Sequence, residues 1–129
     1  MKVKIAGAPI SWGVCEVENW GHQMTPERVF GEMASLGLTG TEFGPYGFLP
    51  TEPKERAAVL AALGMEATGG FFPVVLHVVG SDPMPSVEAE LDAYEASGAT
   101  VLVIAAGQPG GNYNSKRPEI SDEEWALLL

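Results

Sequence analysis

The stretch that decides the fold is Val101-Leu102-Val103-Ile104-Ala105-Ala106, a run of apolar residues that follows shortly after Gly98. Val and Ile are β-branched and favour a strand over a helix. Because both faces of this strand would be apolar, we expect a parallel strand that is covered on both sides. The run therefore indicates an α/β protein with a parallel sheet.

Three more strand–helix pairs precede this run. We predict strands at residues 3–8, 38–43 and 65–72, although residues 74–79 compete for the third place, and helices at residues 26–36, 52–63 and 86–97. Thr25 is a plausible N-cap before Pro26, and a glycine ends each helix, at Gly37, Gly64 and Gly98. Strand–helix alternation of this kind is typical of parallel βα units.

The spacing of these units favours one parallel architecture over another. The strands start about 32 residues apart, so eight units would need about 256 residues, close to the ~250 of a (β/α)8 TIM barrel. We therefore predict the N-terminal half of such a barrel, with about four βα units. The competing fold is an open flavodoxin-like sheet, which usually has a fifth strand that we do not find.

A fourth helix begins near the end of the chain. Ser121 and Glu124 form the sequence signature of a capping box, and Trp125 begins a new apolar stripe. Only a few residues follow, fewer than most stable helices have. We therefore expect residues 1–129 to be a partial TIM-barrel domain that is truncated within its fourth helix.

Composition limits which partners the chain can bind and in which cellular compartment it is expected. The chain has 129 residues, 17 acidic against 7 basic, and a net charge of −10, which disfavours nucleic acid and anionic membranes. The apolar runs are far shorter than the ~20 residues that span a bilayer. Pro9 and Ser11 interrupt the apolar N-terminal region, so we do not predict a signal peptide. A single cysteine, Cys15, is consistent with a reduced, cytoplasmic setting.

Polar and aromatic residues collect after the strands, where parallel α/β proteins place their sites. Glu42 ends the second predicted strand, where burial would raise its pKa and suit it to proton transfer; the other interpretation is a loop cap or a solvated rim residue. Trp12 follows the first strand and either stacks on a sugar ring or packs under the loop. The loop after the fourth strand is rich in glycine and amides, Gly107-Gln108-Pro109-Gly110-Gly111-Asn112-Tyr113-Asn114.

The remaining reactive side chains form no recognisable catalytic or metal-binding spacing. His77 lies in an apolar run, where a histidine is more often structural than functional, and His22 is a loop residue before the first helix. Cys15 has no histidine at a known family spacing. The two histidines, the cysteine and the scattered carboxylates give no metal-ligand pattern, so we predict no metal site within these residues.

Several segments resemble one family of barrel enzymes. The segments are Ala6-Gly7-Ala8-Pro9-Ile10-Ser11-Trp12-Gly13-Val14, Gly40-Thr41-Glu42-Phe43-Gly44 and Gly69-Gly70-Phe71-Phe72-Pro73-Val74-Val75-Leu76-His77. They are similar to the opening half of the xylose-isomerase-like superfamily, and within it to the inosose dehydratase group, often labelled sugar phosphate isomerase/epimerase. The resemblance covers this whole chain but only half of the family's length.

The resemblance implies a metal-dependent lyase that dehydrates 2-keto-myo-inositol in inositol catabolism, or else a sugar phosphate or hydroxypyruvate isomerase/epimerase. It implies a divalent ion, manganese or cobalt, held by segments outside these residues. By resemblance Glu42 is the catalytic candidate, and Trp12, Phe72 and His77 are candidates for binding a polyol or keto-sugar. We expect this fragment alone to be inactive. A non-catalytic polyol-binding half barrel that self-associates through open sheet edges is the other function considered.

Overall fold

The computed structural model describes residues 4–17, 19–110 and 115–129, which form a parallel α/β fold. Strands and helices alternate along the chain in the order β1 (Ala6–Gly7), a 3-10 helix (Pro9–Trp12), α1 (Pro26–Ser35), β2 (Gly40–Glu42), α2 (Pro53–Ala62), β3 (Glu66–Val74), α3 (Met84–Ala96), β4 (Val101–Ala106) and α4 (Asp122–Leu128). The prediction of four βα units is confirmed.

The four strands form one sheet in the order β1-β2-β3-β4, and every neighbouring pair is parallel. A doubly wound sheet reverses its strand order at a switch point, whereas this sheet runs in chain order from one edge to the other. The topology is therefore compatible with half of a TIM barrel. Among the described residues the sheet remains open, with β1 and β4 as its edges.

The helix boundaries follow the local signals in the sequence. Pro26 and Pro53 occupy the first turns of α1 and α2, where a missing N–H leaves no hydrogen bond unmade. The Glu52 side chain caps α2 by accepting a hydrogen bond from the Glu55 N–H at 2.9 Å, whereas the Thr25 side chain makes no such bond to α1. Gly37, with a φ of 81°, ends α1 in the left-handed conformation that glycine adopts without strain.

The core lies between the sheet and the helices. Its buried members are Val14, Val29, Phe30, Met33, Phe43, Leu49, Leu60, Met65, Tyr94 and Ala99. Phe43 and Tyr94 make an edge-to-face ring contact, with centroids 4.9 Å apart, and the Arg56 guanidinium lies 4.4 Å from the centroid of the Phe43 ring. This cluster joins β2, α2 and α3, and it determines which face of the sheet is covered.

Strand β4 differs from the expectation. The prediction that residues 101–106 are covered on both sides is wrong, because Val101, Val103 and Ile104 are about half exposed. The physical reason is that β4 is an edge strand and that α4, the helix that follows it, buries none of its described side chains. Leu91 on α3 is also about half exposed.

Other boundaries also differ in detail. Strand β3 extends to Val74, and residues 75–79 form no strand. Strands β1 and β2 are shorter than predicted, and residue 3 of the first predicted strand lies outside the described residues. The capping box of α4 is confirmed, since Glu124 N–H donates to Ser121 Oγ and Ser121 N–H donates to Glu124 Oε2. None of the helices in the described part of the chain has the length and apolar character needed to cross a membrane.

Candidate functional site

Gly70 identifies the face of the sheet that points at the helices. A Cβ at this position would collide with Tyr94 Oη on α3 and would lie 3.3 Å from Phe43 Cδ2. Because side chains alternate along a strand, Phe72 and Val74 share this helix-facing side with Gly70. The opposite side, which we call the inner face, includes Gly40, Glu42, Glu66, Gly69, Phe71, Pro73, Val101, Val103 and Ala105, matched by the registers of β2, β3 and β4.

Glu42 lies on the inner face at the carboxyl end of β2. Its chain neighbours Thr41 and Phe43 are buried in the helix-side core, whereas Glu42 itself is exposed. The burial predicted for Glu42 from its place at the end of a strand is therefore wrong, because its side chain is exposed. Phe71, two positions from the Gly69 that pairs with Glu42, lies on the same face and is about half exposed.

The other aromatic candidates lie on the opposite side of the sheet from Glu42. Phe72 pairs with Ile104 on the helix-facing side and is partly buried. Trp12 packs against the core, and its indole N–H donates a hydrogen bond to Glu32 Oε2 on α1 at 3.0 Å. The structure therefore does not bring Trp12 or Phe72 together with Glu42 on one face.

His77 lines a cavity at the carboxyl ends of β3 and β4. The side chain is only 6% exposed, three residues beyond the end of β3. The cavity measures about 450 Å³, and its walls are His77, Ala106, Gly107, Gln108, Ser115, Arg117, Pro118, Ile120, Trp125 and Leu128. We call it the His77 cavity. Gly111, Asn112, Tyr113 and Asn114, the rest of the loop highlighted by the sequence, lie outside the described residues.

The chemistry of the His77 cavity combines hydrogen-bonding groups with apolar surface. Gln108 and Ser115 can donate and accept hydrogen bonds, Arg117 only donates, and Trp125 offers an aromatic face. Ligand sites commonly pair a mostly apolar lining with a few polar groups, and typical volumes are about 300–1,000 Å³. The His77 cavity has the size and the mixed lining of a small polar ligand site.

One carboxylate is electrostatically linked to this region. The backbone N–H of Ser121 lowers the pKa of Glu124 most, and the Ser121 hydroxyl lowers it further. Desolvation opposes these effects, and a smaller electrostatic interaction with His77 acts in the lowering direction. Glu124 is thus held in its ionised form by the capping box. It stands at the start of the helix that carries Trp125 into the cavity wall.

A second cavity of about 510 Å³ lies in the loop after β1. Its walls are Cys15, Glu16, Val17, Asn19, Trp20, Gly21 and Gln23. A hydrogen bond from the His22 N–H to Gly13 O, 2.9 Å long, closes the loop, and Gln23 Nε2 donates to Cys15 O at 2.9 Å. Trp20 stays 68% exposed, so the loop presents an indole to solvent beside buried Cys15.

The resemblance to metal-dependent enzymes raises the question of whether these residues fit a divalent ion. Within residues 4–17, 19–110 and 115–129, no three His, Cys, Asp or Glu side chains lie close enough together to hold a metal ion. The described residues therefore do not fit the implied manganese or cobalt. The divalent ion remains a prediction.

Sequence reasoning missed three residues that the structure places at candidate sites. Phe71, and not Phe72, shares the inner face with Glu42, because two adjacent phenylalanines do not reveal which of them faces which side of the strand. Arg117 and Trp125 enter the His77 cavity from the segment after β4. Trp125 was interpreted only as the start of an apolar helix stripe, and the signal that could have found it is the position of that stripe just after a loop at a strand end.

Comparison with known proteins adds the chemical context. No family model matches the chain. An inosose dehydratase from Geobacillus thermodenitrificans is 28% identical over 135 residues, which cover 99% of this chain and 45% of that protein. An inosose dehydratase from Salmonella typhimurium is 28% identical over 133 residues, covering 98% of this chain and 44% of that protein.

The chain is similar to inosose dehydratases along nearly its whole length. The rhizopine catabolism protein MocC from Rhizobium meliloti is likewise 30% identical over 131 residues, covering 97% of this chain and 40% of that protein. The chain spans less than half the length of the curated relatives it matches. The resemblance to inosose dehydratases is thus supported at the level of sequence, and it points to a family of sugar-processing enzymes.

Proposed function

We propose that this chain forms the polyol-binding part of an inosose dehydratase-like enzyme and binds 2-keto-myo-inositol in the His77 cavity. The observation that carries this proposal is the coincidence of two findings. A cavity with mixed polar and aromatic walls lies at the carboxyl ends of β3 and β4. The surrounding sequence is similar to inosose dehydratases over almost all of its length.

The cavity walls match the chemistry of an uncharged keto-polyol. Each ring hydroxyl both donates and accepts hydrogen bonds, so it can pair with the Gln108 amide and the Ser115 hydroxyl. The Arg117 guanidinium can donate to a carbonyl oxygen, and the Trp125 indole can cover the ring's C–H face. Buried His77 would fix the position of a neighbouring hydroxyl.

The proposed reaction needs a base next to the carbonyl group. Dehydration removes a proton from the carbon beside the ketone and expels the hydroxyl group on the next carbon as water, and the resulting enol then becomes a diketone. Glu42, at the end of β2, is the carboxylate that we propose for moving this proton, on the resemblance of its segment to inosose dehydratases. Because Glu42 is not among the walls of the His77 cavity, its role is tested by turnover and not by the binding experiment. A divalent ion is part of the proposed chemistry, and the steps derived for this chain do not pass through it.

Binding is tested by calorimetric titration of the 129-residue chain with 2-keto-myo-inositol. Two tryptophans provide a matched pair, since Trp125 lines the His77 cavity and Trp20 lines the other one. We expect W125L to weaken binding roughly tenfold, the scale of about 1.4 kcal/mol for a lost stacking contact. W20L should bind like the parent. Equal affinities of the two variants, or no binding at millimolar ligand, would refute the proposed site.

Turnover is tested separately by following loss of 2-keto-myo-inositol and formation of the diketone by NMR, with and without manganese. If the chain turns over substrate, E42Q should lower the rate roughly 100-fold, and E95Q, a change at an exposed carboxylate on α3, should not. A rate within threefold of the parent for E42Q assigns Glu42 a structural role. Conversion of a ketose or hydroxypyruvate instead supports an isomerase. Binding without any turnover supports a non-catalytic polyol-binding module.

A further inference from the structure

The chain exposes far more surface than a compact monomer of its mass. The scaling of accessible area with mass gives about 6,600 Å² for a folded monomer of this size, whereas this 13.6 kDa chain exposes 8766 Å². The excess is about 2,200 Å² per chain. Two chains that buried this excess against each other would form an interface in the range of obligate homodimers, which bury about 2,000–5,000 Å² in total.

Part of this excess is an apolar surface on the inner face of β3 and β4. Phe71 is 51% exposed, Val101 54% and Val103 46%. They form one continuous patch because Phe71 pairs with Val103, and Gly69 pairs with Val101, in adjacent positions of the sheet. Contiguous exposed apolar surface of this kind marks an interaction site in soluble proteins.

The two open edges of the sheet, β1 and β4, could pair with each other between two copies of the chain. Within residues 4–17, 19–110 and 115–129, strands β1 and β4 each have one side without a hydrogen-bonded neighbour, and both run in the same direction. A second copy, rotated by a two-fold axis along the strands, would bring its β1 beside β4 of the first copy in parallel. The same rotation would pair the remaining two edges, so the arrangement closes after two copies.

The number of strands also fits this closure. Eight parallel strands close into a barrel whose interior is filled by side chains, and the four described strands of two copies supply eight. The inner face that would enter this interior carries glycine, proline, alanine, valine and phenylalanine. Its charged residues in the described strands are Glu42, at the end of β2, and Glu66, at the start of β3, where Glu66 forms an ion pair with Lys4. The repulsion expected from a net charge of −10 on each chain is therefore not concentrated at the surface that would be buried.

We propose that two copies of this chain associate through the open edges of β1 and β4 and bury their inner faces in a closed eight-stranded parallel barrel. The proposal does not depend on the ligand of the His77 cavity. The other occupants of the inner face, a separate polypeptide with further βα units or a non-closing chain of copies, predict different masses and are distinguished by the test.

The test is sedimentation equilibrium of the 129-residue chain between about 5 and 100 μM. We expect twice the 13.6 kDa chain mass. V103K, which would place a charge inside the closed interior, should raise the dissociation constant roughly 30-fold or more. L36K is the matched control because Leu36 is 70% exposed at the end of α1, away from the inner face. It should leave the mass unchanged.

Circular dichroism of V103K shows whether it remains folded, as its exposed position predicts. A wild-type chain that is monomeric over the whole range would overturn the proposal without reference to any variant. Species larger than a dimer would overturn the closed arrangement. A dimer that V103K does not weaken, although the variant is folded, would overturn the assignment of the interface to the inner face.

Discussion

Substituting Gly70 by alanine tests the assignment of the two faces of the sheet, on which the site and the interface both depend. A methyl group at Gly70 would collide with Tyr94 Oη and lie 3.2 Å from Tyr94 Cζ. Overpacking of this kind costs about 1–3 kcal/mol, and the gain from replacing a strand glycine offsets at most about 1 kcal/mol. We therefore expect G70A to lower the free energy of unfolding by about 1–2 kcal/mol.

The cause of this loss can be isolated in a double-mutant cycle with Y94F, which removes the colliding oxygen and keeps the ring against Phe43. In the Y94F background G70A should cost less than 0.5 kcal/mol, so the coupling energy should be about 1 kcal/mol or more. The assay is urea unfolding followed by circular dichroism. G31A is the matched control, since a Cβ at Gly31 meets no atom within 4 Å and should stabilise α1 by about 0.5–1 kcal/mol.

Equal costs of G70A in the two backgrounds would refute the reasoning. Such a result would mean that Gly70 does not face Tyr94, and the inner face would then have to be reassigned to the alternate residues of β3 and β4.

Three further predictions concern pH and packing. Burial raises the pKa of Tyr94 from its ordinary 10.0 to about 12, so between these pH values the native state keeps a proton that the unfolded state loses. The free energy of unfolding should therefore fall between pH 10 and 12. Urea melts should show this fall for the parent protein and not for Y94F. The Ser121 N–H and hydroxyl lower the pKa of Glu124 below its ordinary 4.5. The stability that this cap adds to α4 is therefore complete above pH 4.5 and is lost as the pH falls through the native-state pKa of Glu124. E124Q should abolish this pH dependence, measured by the helical circular dichroism signal. Leu60 is 1% exposed, so L60A should lower the free energy of unfolding by about 2–5 kcal/mol. Leu36 is 70% exposed, so L36A should change it by less than about 0.5 kcal/mol. Similar values for the two variants would contradict the assignment of Leu60 to the core.

The elements of the fold could be predicted because their signals are local. Pro26 and Gly37 bracket α1, the Ser121–Glu124 box begins α4, and residues 101–106 form β4 with the predicted bounds. Each of these signals acts through backbone geometry or through hydrogen bonds between residues that are near in sequence, so one segment contains the information.

The faces and the burial could not be predicted in the same way. An apolar strand such as β4 indicates that cover on both sides would be favourable, but only tertiary structure decides whether an element supplies it. Phe71 and Phe72 are chemically identical neighbours that point to opposite sides, and their phase depends on the register with β4. The His77 cavity depends on residues 115–128 returning to the end of β3, a long-range contact that no local pattern contains.

The most direct test of the proposed function locates the ligand on the molecule. Amide chemical shifts of the 15N-labelled chain would be recorded as 2-keto-myo-inositol is added. We expect the largest, saturable changes at the walls of the His77 cavity, which include His77, Gly107, Gln108 and part of the segment after residue 115. Changes confined to the loop around Trp20, or the absence of any saturable change, would contradict it.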